Sequence, residues 1–500
     1  MSYIIGIDLG TSSLKGILLD KAGAILTTKQ AEYELITPQA GYSEQDPTVW
    51  TQALSQVIQQ IILEVPAASR STVGISFSGQ MHSLVLLDQE GLPLRNAILW
   101  NDVRTSDQCR RIMATAGEKV LSITKNRALE GFTLPKILWV KEHEPVIWQK
   151  TAHFLLPKDY AGFYLTGNQQ MDYSDAAGTL LLDVDNRVWS AELAAQFDLP
   201  LRVFPKLVDS SEGIGLIKPE LAKQLGFTSD VMVYAGGADN ACAALGAGIT
   251  TDGMALASIG TSGVFLSYEG AGHADYGGEL HYFNHAAKEA YYSMGVTLSA
   301  GYSLNWLKDT FAEDQTYDEL LHNLGDTPIG AGGLLFSPYI MGERTPYADS
   351  QIRGSFIGLD ARHTRDHLTR SVIEGITFSL KESQRLMVEH GKKDIQTIIS
   401  VGGGAKNKHW LQLQADVFNT PVTTLTSEQG PALGAAMIAA VGAGWYQSMA
   451  ECSKDLVHYG HSYTPIPKNV TEYQRLYEIY QQVYSATKNI CHELAHFQAI

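Results

Sequence analysis

The sequence predicts an α/β protein of two similar halves that hold a polyphosphate between them. The strongest observation is a hairpin that occurs twice. Residues 3–19 read YIIGIDLGTSSLKGILL, and residues 254–268 read MALASIGTSGVFLSY. In each, an apolar run enters a Gly-Thr-Ser turn and a second apolar run leaves it. Gly10 and Gly260 lie 250 residues apart, half of the 500-residue chain. The second observation is that strand-like runs are interleaved with helical periods in both halves, as in α/β proteins. The third is that a predicted strand in each half ends in glycines, DVMVYAGG (230–237) and TIISVGGG (397–404). Small hydroxyl-bearing turns with free backbone N–H groups suit phosphate oxygens.

Taken in order, the first hairpin is followed by a short strand at 24–29. Asp46-Pro47 then caps and opens a helix whose apolar face is Trp50, Leu54, Val57, Ile58, Ile61 and Val65. Residues 73–79 and 83–88 read as strands on either side of a tight segment at 79–82. A turn follows at 91–93, and residues 129–143 form a loop that enters a helix. Residues 230–237 form one buried strand. In the second half the hairpin precedes a helix near 300–310, a glycine-rich stretch at 329–336 and a long helical period at 365–390. Residues 397–407 are a strand ending in glycines. Residues 431–444, PALGAAMIAAVGAG, make a small-residue helix able to pack close to another backbone. A single helix at about 472–497 closes the chain. The boundary between halves is expected near residue 246, giving domains 1–246 and 247–500.

The composition narrows the function. This length predicts two to four domains, and 45% apolar with 18% charged residues is ordinary for a globular protein with large cores. The net charge of −16 argues against nucleic acid or anionic membrane as a partner. Cys109, Cys242, Cys452 and Cys491 are scattered without a CxxC pair, which points to reduced thiols in a cytosolic protein. The first ten residues have no cationic lead and run into Asp8, unlike a signal peptide. No apolar stretch approaches the roughly 18 residues of a membrane span.

Several residues are candidates for chemistry. Asp8 ends a central strand just before Gly10-Thr11-Ser12, where a buried carboxylate needs a partner. It reads either as a ligand for Mg²⁺ on a nucleotide or as a turn-forming Asp. The equivalent position in the second hairpin is Ser258, so the turn does not require a carboxylate. Asp239 follows VYAGGA and reads as a general base, as an N-cap, or as both. Gln80-Met81-His82 could read sugar hydroxyls or bond locally. Gly402-Gly403-Gly404 could admit a nucleotide or make a tight turn. The charges of GERTP (342–346) fit an internal ion pair as well as a site.

Together these segments resemble the FGGY carbohydrate kinases, and within them the branch that acts on xylulose. The two signature regions stand as GFTLPKILWVKEH (131–143) and GSFIGLDARHTRDHLTRSVIE (354–374). Further matches are YSEQDP (42–47), SGQMHSLVLLD (78–88), ILWNDVR (98–104), LLPKDY (155–160), YSDAAGT (173–179), GGADNACAALGAG (236–248), SIGTSG (258–263), GERTP and QGPALGAA (429–436). The resemblance covers essentially the whole chain. It implies two actin-like or hexokinase-like (ribonuclease H-like) domains from a duplicated core, with ATP and sugar meeting in the interdomain cleft. It implies ATP-dependent phosphorylation of D-xylulose to D-xylulose 5-phosphate in xylose catabolism, with Mg²⁺, in the cytoplasm. Asp239 is then the expected base and Asp8 the carboxylate near Mg²⁺. Met81 and His82 are the expected sugar contacts, with Asn240, Trp100, Asn101 and Asp102 beside them. Thr11, Ser12, Gly260 and Thr261 match the phosphate loops, and Gly301, Asn305 and Gly404 match positions lining the nucleotide. The family also suggests a homodimer. Two departures stand out. Lys408 occupies a position where related glycerol kinases have Asn, and Ser83 one where xylulose-acting members often have Gly. Gluconate, another sugar or a polyol is the alternative substrate. An actin- or chaperone-like ATP-driven binding protein is the alternative class, and Asp239 with the Met81-His82 loop argues against it.

Overall fold

The computed structural model describes residues 2–270 and 274–497. The first half is organised on a seven-stranded sheet. Its strands are β1 (Tyr3–Leu9), β2 (Ser13–Asp20), β3 (Ile25–Glu32), β4 (Thr72–Gly79), β5 (Gly213–Leu216), β6 (Met232–Tyr234) and β7 (Gly237–Ala238). Their order is β5-β6-β4-β1-β2-β3, with β7 also paired to β4. The second half carries β8 (Met254–Ile259), β9 (Gly263–Glu269), β10 (His281–Asn284), β11 (Tyr291–Thr297), β12 (Thr397–Gly402), β13 (Val422–Leu425) and β14 (Tyr459–Tyr463). Their order is β10-β11-β9-β8-β12-β13-β14.

The two sheets share a six-strand plan. β1 and β8 are central, each with an antiparallel hairpin partner on one side and a parallel strand on the other. β6 and β13 extend the sheets in parallel, and β5 and β14 close them antiparallel. The chain reaches these outer pairs in opposite order, because β5 precedes β6 whereas β14 follows β13. The turns also differ. Leu9 pairs with Leu14, but Ile259 pairs with Gly263, so the second turn is one residue shorter.

The expected strand at 230–237 is two strands. Gly236 breaks it with φ +79, and a Cβ there would fall 2.1 Å from the Phe77 carbonyl oxygen. The expected strand at 83–88 is only Val85–Leu87, and it pairs with His153–Leu155 outside the main sheet. The closing helix is two helices, Pro467–Tyr480 and Val483–Leu494, interrupted at Gln481-Gln482. The first lays Tyr473, Tyr477 and Tyr480 on Phe378, while the second buries Cys491 beside Tyr339 and Ile352, so one straight helix would lose one of the two contacts.

Helices cover both faces of the first sheet. α1 (Pro47–Glu64) is capped by Asp46, whose Oδ1 accepts from the Thr48 N–H at 2.9 Å, and buries Trp50, Leu54, Val57, Ile58 and Ile61. The first-half sequence ends in α2 (Asp239–Gly246); in the second half α3 (Gly301–Phe311) follows β11, and α4 (Arg365–Glu389) packs against β9, β11 and α3. The small-residue segment is α5 (Pro431–Gly442), and it joins the halves. A Cβ on Gly6 of β1 would meet the Ala432 carbonyl at 2.2 Å, and one on Gly434 would meet the Cys242 carbonyl of α2 at 2.0 Å. Backbones this close leave no room for a larger residue. All four cysteines are buried free thiols. Among the described residues no helix is long and apolar enough to cross a membrane.

Candidate active site

The first Gly-Thr-Ser turn is fastened by its carbonyls. The Tyr33 hydroxyl donates to the Gly10 carbonyl at 2.6 Å, and Gln45 Nε2 donates to that of Thr11 at 2.6 Å. The Trp100 indole donates to Thr11 Oγ1 at 2.9 Å. The Tyr33 N–H takes the Ser12 carbonyl at 3.1 Å. With its acceptors tied up, the turn leaves the Thr11 and Ser12 N–H groups without a partner among the described residues, the donor pattern an anion requires. The second turn is locked differently. The Gly301 and Tyr302 N–H groups at the start of α3 donate to the Gly260 and Thr261 carbonyls at 2.9 and 3.0 Å. A Cβ on Gly301 would stand 2.4 Å from the Gly260 oxygen, so only glycine allows this contact.

Gly260, Thr261, Gly301, Asn305 and Gly404 line one cavity of about 350 Å³. Its walls mix the apolar Ile259, Leu304, Leu321 and Trp410 with the polar Asp318, Lys406 and Asn407. Gly404 packs on Ile259, where a Cβ would come within 2.6 Å of the Ile259 side chain. Tyr317 also lines the slot and donates to Asn305 Oδ1 at 2.7 Å. Sequence reasoning missed it, because it lies in a short polar helix with no motif. Lys408 is exposed and outside the slot, whereas Asn407, one residue earlier, lines it. Asn407 also caps the helix Lys408–Phe418, its Oδ1 accepting from the His409 and Trp410 N–H groups at 2.9 and 3.1 Å.

Two carboxylates meet at the end of β4. Asp8 pairs with Ser78 in parallel register, and Gly237 pairs with Ser78 from the other flank, which places Asp239 one residue past the paired Ala238–Gly79. Asp239 opens α2, but Asp239 is not its N-cap; Ala238 is. Asp239 Oδ1 accepts from the Asn240 N–H at 2.7 Å and from Asn240 Nδ2 at 3.0 Å. Burial first, and the Asp8 charge second, push the Asp239 carboxyl up to about 7, while the Asn240 and Met81 donors partly oppose them. Burial also raises Asp8, against the Ser78 hydroxyl and the Lys15 ammonium.

His82 has φ +68, a left-handed conformation rare for a non-glycine residue. It aims the ring so that Nδ1 donates to the Gly178 carbonyl at 2.7 Å, which fixes the tautomer and leaves Nε2 as an acceptor. Burial pushes its pKa down to about 3, so the ring is neutral. It packs on Phe132 and Phe283, at 4.7 and 6.0 Å between ring centroids, which brings residues of both halves onto one imidazole. Neither phenylalanine carries a sequence signal for this role. Met81 is buried, with its sulfur 3.8 Å from both Asn240 Nδ2 and the Tyr292 hydroxyl. Trp100 and Asn101 are exposed at the cleft side of the Thr11 turn. Ser83 ties this loop together, its hydroxyl accepting from the Trp100 N–H at 3.1 Å.

Asp102 stands apart. It is fully buried, and its oxygens accept from Arg104 Nε and Nη2 at 2.8 and 2.7 Å and from the Ser43 N–H at 2.6 Å. The carboxylate is engaged inside the fold rather than open to a ligand. In GERTP, Glu343 does not ion-pair with Arg344. It accepts from the Leu298 and Arg344 N–H groups at 3.2 and 2.8 Å and from Ser379 at 3.1 Å, a clamp on the segment.

The fold has close counterparts. Residues 3–246 match the family model for the N-terminal domain of the FGGY family of carbohydrate kinases, and residues 255–443 match that for its C-terminal domain. The chain is 52% identical to a xylulose kinase of Lactococcus lactis, over 99% of both proteins. It is 51% identical to a xylulose kinase of Bacillus subtilis, over 100% of both. Among solved structures, a kinase from Brucella ovis described as a "xyloylose kinase" superposes with a TM-score of 0.93 at 36% identity, over 98% of this chain and 100% of that one.

Proposed function

The chain belongs to the FGGY family of carbohydrate kinases, and on that premise we propose that it transfers the γ-phosphoryl group of ATP to the terminal hydroxyl of D-xylulose. The products are D-xylulose 5-phosphate and ADP. The substrate rests on full-length identity of about half to proteins named xylulose kinase. The single observation that carries the mechanism is Asp239, half-buried beside Asp8 at the end of β4, with its carboxyl pushed up to about 7.

A base with this pKa is ionised in a large fraction of molecules at neutral pH and still basic enough to take a proton. Asp239 accepts the proton of the sugar hydroxyl as that oxygen attacks the γ-phosphorus and the bond to the β-phosphate oxygen breaks. His82 Nε2 accepts a hydrogen bond from another sugar hydroxyl, and Met81 gives the pocket an apolar floor. The Gly10–Ser12 and Gly260–Ser262 turns hold phosphate oxygens with backbone N–H groups, and the slot floored by Gly404 takes the adenine of ATP. Phosphoryl transfer asks mainly for such positioning and charge neutralisation.

The donor set fits Mg²⁺. Asp8 offers hard oxygen ligands, and two neighbouring carboxylates with raised pKa values are a site where a cation relieves repulsion. Asp8 is the residue that would hold the ion, which would neutralise phosphate charge. We place the division of the chain at residue 246, with the sugar-binding domain at 1–246 and the nucleotide-binding domain at 247–500.

The test is ADP release measured with a panel of ketopentoses, polyols and aldonates. Sugar dependence with a preference for xylulose is expected. Sugar-independent ATP hydrolysis would overturn the transfer reaction, and a preference for gluconate would overturn the substrate alone.

A further inference from the structure

Beneath the carboxylate end of β7 lies a charged cluster with no part in the chemistry described above. Lys158 is fully buried, and its Nζ lies 2.5 Å from Asp159, 2.8 Å from Asp172 and 3.2 Å from Asp175. The three carboxylates come within 4.8 Å of one another, the spacing of a metal cage. The Lys158 ammonium occupies that cage instead. Burying four ionisable groups is expensive, so the arrangement must be held together by many bonds. Burial raises Asp175 well above its ordinary value, and the Lys158 ammonium opposes that shift.

The cluster connects to the active site through one hydroxyl. Asp172 caps the short helix Tyr173–Ala177 and accepts from the Ser174 N–H at 2.9 Å, the Ser174 hydroxyl at 2.5 Å and the Ser210 hydroxyl at 2.9 Å. With its proton committed to Asp172, the Ser174 oxygen accepts from the Ala238 N–H at 2.9 Å. Ala238 is the residue before Asp239. Lys158 also packs under Gly79, where a Cβ would stand 2.8 Å from Lys158 Cβ, and Gly79 leads into Gln80-Met81-His82. One buried group thus supports both the base and the loop expected to contact sugar.

We infer that the Lys158–Asp172–Ser174 relay is the positioning device for Asp239, fixing the backbone from which its carboxylate meets the sugar hydroxyl. This rests on the proposed role of Asp239. Ser174 itself touches no reacting atom. It orders the Ala238 amide, which in a fully buried strand has no water to replace a lost partner. Small displacements of a catalytic group cost a large factor in rate.

The experiment is a double-mutant cycle on kcat, with sugar and ATP KM values and thermal melting recorded for each protein. Ser174→Ala alone is expected to lower kcat about tenfold, with both KM values within about twofold of wild type. Ser174→Thr, which keeps the hydroxyl, should recover most of the rate. In an Asp239→Asn background Ser174→Ala should cost less than about twofold, because there is no base left to position. An equal loss in both backgrounds, or no loss from Ser174→Ala alone, overturns the relay. Wild-type turnover in Asp239→Asn itself would instead overturn the proposed base, which separates the two failures.

Discussion

Asp8 and Asp239 stand on opposite flanks of one strand end. Asp8 pairs with Ser78 from one side of β4, and Gly237, two residues before Asp239, pairs with the same Ser78 from the other. Neighbouring strands lie about 4.8 Å apart, so the two carboxylates share one electrostatic neighbourhood. The Asp8 charge is the second largest cause of the raised Asp239 pKa, after burial.

The pH dependence follows from that pair. The proposed base works only when ionised, and burial with the Asp8 charge pushes the Asp239 carboxyl up to about 7. Below that pH, kcat/KM should fall about tenfold per unit, and above it the profile should level. His82 stays neutral throughout, because its pKa is pushed down to about 3. An acid limb centred near pH 7 in free-enzyme kinetics is expected. A limb that persists unchanged in His82→Gln would assign it to the carboxylate.

Asp239→Asn should lower kcat by roughly two to four orders of magnitude while ATP binding stays intact. It should also stabilise the protein, with a definite pH signature. The folded protein holds the Asp239 proton up to about pH 7, whereas the unfolded chain releases it near 3.8. Between those values the folded state binds more protons, so this carboxyl costs stability increasingly as pH rises and its full cost is present above 7. Asn carries no such cost. The variant should therefore melt a few degrees above wild type at pH 8 and alongside it at pH 4. Equal melting at pH 8 would mean the carboxyl is not strained by burial.

Much of this site could be read from the chain, for a physical reason. A Gly-Thr-Ser turn between two apolar runs stands out by its spacing, and the two hairpins expected around Gly10 and Gly260 both form. The α5 helix was equally legible, since PALGAAMIAA can only be a helix pressed against another backbone. Residues that act by being brought from afar left no such trace. Phe132 and Phe283 meet at His82 only after the halves come together, and an isolated aromatic residue reads as core. Asp102 failed in the other direction. Its place in a polar motif suggested a ligand contact, but Arg104 two residues on takes up both its oxygens. The closing helix ran past its true break because Tyr480 and Val483 both continue an apolar period that the packing divides.

Removing the Asp8 charge should move the same acid limb. With Asp8→Asn, one cause of the raised Asp239 pKa disappears, so the limb should shift to lower pH by a fraction of a unit or more. The variant should also need more Mg²⁺ for half-maximal rate, while sugar binding measured without nucleotide stays near wild type. Sugar affinity that collapses with an unchanged Mg²⁺ requirement would place Asp8 on the wrong substrate.

Trp100 is tied to the first turn by a single side-chain bond, its indole donating to Thr11 Oγ1 at 2.9 Å. Trp100→Phe keeps an aromatic ring but removes the donor. The Thr11 side chain is then freed while its carbonyl remains tied to Gln45. A loss of about threefold to tenfold in kcat is expected, with melting within a degree or two of wild type, since one partly exposed hydrogen bond is worth only about 1 kcal/mol. A large fall in melting temperature would recast Trp100 as structural.

The last prediction concerns Gly301, where the second turn and α3 touch backbone to backbone. A Cβ at this position would stand 2.4 Å from the Gly260 carbonyl oxygen, well inside van der Waals contact. Neither partner can yield cheaply. The Gly260 carbonyl is held by the Gly301 N–H itself at 2.9 Å, and the Tyr302 N–H holds Thr261 at 3.0 Å. Gly301→Ala must therefore push the turn and the helix apart and tilt the Thr261 N–H away from the slot it lines with Asn305 and Gly404. The expected result is a loss of about tenfold or more in ADP affinity by calorimetry, with sugar affinity near wild type, because Met81 and His82, the proposed sugar contacts, do not line that slot. An equal loss for both ligands would show that the substitution disturbs the fold as a whole, and unchanged ADP affinity would remove Gly260 and Thr261 from the nucleotide site.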